Sequence, residues 1–117
     1  LESAKAGALT AVGGELDTVM AGLACGEPSL LAWQELERAA FAFMAVPDAG
    51  VGDAMRRLKA QGLEAGESAV AGLLALEAAQ ARPDWSAALG LGAGSRVLVF
   101  GTEGATDPAV YAAMTAA

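Results

Sequence analysis

A hydroxyl and a carboxylate, Thr102 and Glu103, lie between two glycines directly after the apolar run Val97-Leu98-Val99-Phe100. The run reads as a buried strand over residues 95–100. In open α/β sheets a ligand is met outside the carboxyl ends of the strands, which makes Thr102 the residue placed to meet a ligand atom. A second group, Gly66-Glu67-Ser68, precedes a helical pattern. There, unpaired N–H groups can receive an anion or a polar substituent, and a glycine permits close approach.

Each group also has a plainer reading. The glycines around Thr102 permit awkward backbone angles and its hydroxyl can satisfy local backbone groups, which on pattern alone is the commoner outcome. Glu103 can orient the turn by hydrogen bonds, but an acid beside a loop is more often solvated, so it stays outside the site candidates. A plain helix cap explains Gly66, Glu67 and Ser68 equally well. Cys25 has no histidine anywhere in the chain to act as its base, and its apolar neighbours suggest a small buried side chain. Histidine-based metal sites are excluded on the same ground, and no spaced acidic loop of the calcium-binding kind occurs. Lys5 and Lys59 are the only lysines and sit in polar or helix-end settings.

The elements that would hold these groups are mostly helical. Leu16, Val19, Met20 and Leu23 recur at spacings of three and four, predicting a helix from Glu15 to a stop at Gly26. After Glu27-Pro28, the residues Leu30, Trp33, Leu36, Ala40, Phe41 and Met44 share one helical stripe, with residues 42–46 leaving as a short strand. Asp48 is placed to cap a third helix with Val51, Met55 and Leu58 inward, stopped at Gln61-Gly62. A fourth carries Val70, Leu73, Leu74 and Leu76 as far as Arg82-Pro83, and Asp84 caps a short piece through Leu89. Asp107-Pro108 supplies a cap and a proline at the first helical position for the last helix. With a brief strand at Leu9-Thr10-Ala11-Val12, the pattern is α/β: helices packed on a small number of short strands, with no repeat and no linker dividing residues 1–117.

Composition narrows the partners. The 117 residues are 55% hydrophobic, with a mean hydropathy of +0.43, enough apolar material for one core. Roughly a quarter are alanine, which favours close-packed helices over a core of large aromatics. Seven basic residues against 14 acidic ones give a net charge of -7, which repels phosphate backbones and anionic lipid surfaces. Nucleic acid and membrane are therefore not expected as partners, and the apolar stretches fall far short of the roughly 20 residues of a membrane span. A single cysteine, unable to form an intrachain disulfide, fits a reducing cytoplasm.

Gly101-Thr102-Glu103-Gly104, the string Met20-Ala21-Gly22-Leu23-Ala24-Cys25-Gly26-Glu27-Pro28 and Gly66-Glu67-Ser68 together resemble the C-terminal part of diaminopropionate ammonia-lyase, from Ser3 to Tyr111. That family uses pyridoxal phosphate (PLP) to convert 2,3-diaminopropionate into pyruvate and ammonia. The resemblance implies a fold-type-II enzyme of the tryptophan-synthase-β kind, a homodimer, of which residues 1–117 are a C-terminal piece of the large PLP-binding domain. It implies that Thr102 approaches the pyridine nitrogen of the cofactor and that Gly66, Glu67 and Ser68 shape the pocket. A hydroxyl can donate to an unprotonated ring nitrogen, whereas a carboxylate would favour the protonated ring. The Schiff-base lysine and the phosphate loop lie upstream in the family, so no catalytic residue is expected here and the piece alone should be inactive. Ala105 stands where the family more usually has aspartate, and Ala69-Val70 where it has glycine-alanine. The competing readings are another PLP lyase of this fold type, such as a threonine or serine dehydratase, and a non-catalytic helical interaction domain.

Overall fold

A computed structural model describes residues 1–116. Its elements are α1 (Glu2–Ala6), a 3-10 turn (Ala21–Leu23), α2 (Leu30–Ala39), α3 (Val51–Ala60), α4 (Ala71–Gln80), α5 (Pro83–Ala88) and α6 (Pro108–Thr115). Helix α3 packs against α4 and α6, and α4 against α5. Val51, Ala54 and Met55 of α3 recur one helical turn apart and meet Val70, Leu74 and Met20 in the core, with Tyr111 and Met114 of α6 packed on its edge. Val51, Met55 and Val70 are the largest fully buried side chains, each stabilising the fold by about 2 kcal/mol.

Local signals end and start these helices as their residues dictate. Gly62, at φ 76°, turns the chain out of α3 in a left-handed conformation; its N–H returns to the Lys59 carbonyl and that of Leu63 to the Leu58 carbonyl. At the start of α6 the Asp107 carboxylate accepts the N–H groups of Ala109 and Val110, both at 3.0 Å, with Pro108 following. Ser29 caps α2 by accepting the Ala32 N–H. Arg56 donates to the Met114 carbonyl and Lys59 to the Thr115 hydroxyl, tying α3 to α6.

The expected α/β architecture is corrected: among the described residues there is no strand, so the helices do not pack on a sheet. Residues 9–12, 42–46 and 95–100 carry no strand because a strand is defined by its neighbour's hydrogen bonds, and no segment here offers a ladder. The first of them makes a lone bond of this sort, Val12 N–H to the Gly26 carbonyl. The last still shows alternation: Leu98 and Phe100 are 77% and 78% exposed, while Val99 rests on α4, where a Cβ on Gly72 would come within 2.7 Å of it.

Three further expectations change. The helix from Glu15 to Leu23 is reduced to the 3-10 turn, because the Val19 N–H goes to the Asp48 carboxylate at 2.8 Å instead of into a helical ladder. Asp48 is thereby spent on Thr18 and Val19 and does not cap α3, which begins after Gly50 at φ 101°. Asp84 lies within the first turn of α5, bound to Arg82, and the helix opens on Pro83. Helix α2 ends at Ala39, so Ala40, Phe41 and Met44 of the expected stripe fall outside it, and it buries no residue; Leu30 and Leu36 remain exposed, and Trp33 meets Phe43 at 6.4 Å between ring centroids.

Candidate functional site

Three turns distant in sequence converge on one junction. The Glu103 carbonyl accepts the Gly66 N–H at 3.0 Å, and its carboxylate Oε2 accepts the Ser68 N–H at 2.7 Å. Ser68 then uses its hydroxyl oxygen to accept the N–H of Gly22 at 2.9 Å. Glu64 completes the seam by accepting the Ala105 N–H at 3.2 Å. The glycine-threonine-glutamate turn, the glycine-glutamate-serine turn and the 20–28 string are thus physically joined.

Gly66 is the point of closest approach. A Cβ there would run into the Gly104 carbonyl oxygen and lie 2.8 Å from Glu103 Oε2, so no side chain fits without moving backbone. The Gly66 N–H also needs this proximity to reach Glu103.

Thr102 directly precedes the anchored Glu103. Gly101 lies beside Ala69, where an added Cβ would be 3.6 Å from the Ala69 Cβ, and Glu103 holds Gly66 and Ser68. Thr102 itself is exposed, and its hydroxyl takes no part in the junction's hydrogen bonds. Gly66 and Glu67 are buried, Glu67 at 6% exposure, and Ser68 is half-buried. Of the sequence candidates, Gly66 and Ser68 are bonded to Glu103, the residue after Thr102; Glu67 makes none of these bonds, and the Thr102 hydroxyl stands exposed on the turn.

Glu103 and Glu64 are the junction residues that sequence reasoning did not select. A carboxylate that accepts a backbone N–H 35 residues away leaves no local pattern, so only the recurrence of acids beside both turns hinted at it. Cys25 is exposed rather than buried. Both lysines are engaged outside the junction, Lys5 with Glu2 at 2.8 Å and Lys59 with Thr115 while lying 5.6 Å over the Tyr111 ring. Among the described residues no cluster of three or more metal-ligating side chains occurs, and no helix is long and apolar enough to cross a membrane.

Comparison with known proteins finds similarity to diaminopropionate ammonia-lyase of Escherichia coli K12 and of Escherichia coli O157:H7, each 37% identical over 113 residues, covering 90% of this chain. The diaminopropionate ammonia-lyase of Salmonella typhimurium LT2 is 34% identical over 109 residues, or 86% of this chain. The chain spans 28% of the length of the Escherichia coli proteins and 27% of the Salmonella one. No family model and no solved structure matches.

Proposed function

This chain belongs to the diaminopropionate ammonia-lyase family, and on that premise we propose that residues 1–117 form the part of a PLP-dependent carbon–nitrogen lyase that faces the pyridine edge of the cofactor. The whole enzyme, on this reading, takes 2,3-diaminopropionate to pyruvate and ammonia, as a cytoplasmic homodimer of fold type II. The Schiff-base lysine and the phosphate loop come from the remainder of the longer protein, since neither lysine of these residues belongs to the junction.

The observation that carries the reading is the exposed Thr102 hydroxyl on a turn anchored through Glu103. Its donor capacity fits an unprotonated pyridine nitrogen, an acceptor that a carboxylate at this position could hold only in protonated form. Bound PLP supplies an electron sink for the bond-breaking steps. Thr102 orients the ring by one hydrogen bond, Gly66 admits backbone close to the pocket wall, and Glu67 and Ser68 shape that wall. The net charge of -7 leaves nucleic acid an unfavourable partner. A dehydratase of the same fold type is less well supported, because the similar proteins carry the diaminopropionate name.

Thr102→Val in the full-length enzyme tests this. Losing one neutral hydrogen bond costs about 1 kcal/mol, rising to about 3 where the ring nitrogen is left unpaired, so turnover should fall roughly five- to hundredfold with a changed visible spectrum. Unchanged turnover and spectrum would reduce Thr102 to a turn residue. A full-length protein that takes up no PLP would favour the helical interaction domain instead.

A further inference from the structure

We propose that Glu103 is the positioning residue of the site: it clamps the Gly66–Ser68 turn with its carboxylate and its own carbonyl, and so fixes where the Thr102 hydroxyl stands. The inference rests on the reading of Thr102 as the cofactor-facing donor. A single residue adjacent to Thr102 makes two attachments to one turn, Oε2 to the Ser68 N–H at 2.7 Å and the main-chain oxygen to the Gly66 N–H at 3.0 Å. Two bonds from one residue restrain rotation as well as distance.

The clamp has no slack. Without a Cβ at Gly66 the two turns already touch, and a Cβ there would overlap both the Gly104 carbonyl and the Glu103 side chain. The restraint reaches Thr102 from one side, through Glu103, the residue that directly follows it. Ser68 passes the restraint onward through its hydroxyl to Gly22. Aspartate at position 103 keeps the main-chain attachment but is one methylene too short to hold the Ser68 N–H, whereas glutamine keeps an acceptor oxygen at the same reach.

The test is cofactor affinity of the full-length apoenzyme, titrated with PLP and read by absorbance and fluorescence, together with hydrogen exchange at the Gly66 and Ser68 amides. Glu103→Ala and Glu103→Asp should weaken PLP binding about tenfold, the scale of one lost hydrogen bond, and speed exchange at the Ser68 amide, whereas the Gly66 amide keeps its main-chain acceptor. Glu103→Gln should recover most of the affinity and protection, while far-ultraviolet circular dichroism confirms that each variant is folded. Parental PLP affinity in Glu103→Ala overturns the proposal. So does a Glu103→Gln as impaired as Glu103→Ala, which would give the role to charge rather than acceptor geometry. Failure of the parent protein to bind PLP would bring down the underlying reading and this proposal with it, whereas a PLP-binding parent with an indifferent Glu103 sinks this proposal alone.

Discussion

Glu103 Oε2 accepts the backbone N–H of Ser68 at 2.7 Å across 35 residues of chain. The bond joins a turn read as cofactor-facing to a turn read as pocket wall, and it does so through a side chain rather than a sheet. Its geometry makes the neighbouring glycine intolerant of any side chain.

Gly66→Ala should therefore destabilise the protein by about 2 kcal/mol or more, since the clash is with a carbonyl oxygen rather than a movable side chain. Chemical denaturation of the parent and variant measures this. A variant as stable as the parent would mean that the 66 and 104 backbones separate freely and the junction is loose.

Acid should loosen the segment before α3. The Thr18 hydroxyl, and then the Val19 N–H, hold the Asp48 carboxyl below its ordinary value of 3.8. A depressed folded value means that this contribution to stability is fully present above pH 3.8 and is lost as pH falls through the folded value. Asp48→Asn should thus flatten the acid limb of the stability profile below pH 3.8, with Met20 exposure followed by methionine oxidation. Superimposable acid profiles for parent and variant would remove Asp48 from the account.

Leu98 and Phe100 predict the behaviour of the 117-residue chain in isolation. Two large apolar side chains, 77% and 78% exposed on the outer side of one segment, favour self-association. Sedimentation should show dimers or larger species at micromolar concentrations, and the double variant Leu98→Ser with Phe100→Ser should shift the population toward monomer. A compact parental monomer across that range is the contrary result.

Much of the helical frame was legible because its signals are local. Asp107-Pro108 and Gly62 specify an end by chemistry contained within a few residues, and Val51, Met55 and Leu58 share a face through spacing alone. The misread elements depend on distant partners. Residues 95–100 have the composition of a buried strand but no neighbouring ladder, and the Glu15 periodicity yields to a carboxylate 29 residues beyond Val19. Thr102, Gly66, Glu67 and Ser68 are candidates because the resemblance selects them, whereas Glu103 was left out because its bonds to Gly66 and Ser68 are visible only in the folded chain.

The spacing of the junction also sets an order of assembly. Each helix closes loops of a few residues, but the Gly22–Ser68 and Ser68–Glu103 bonds close loops of 46 and 35, each at an entropic cost on the order of 3 kcal/mol. Short-range closures run ahead of long-range ones during folding. On a ribosome the clamp has no partner until residue 103 has been synthesised, by which time α3 and α4 are already complete. The helices are therefore the scaffold inherited by a site that is assembled last.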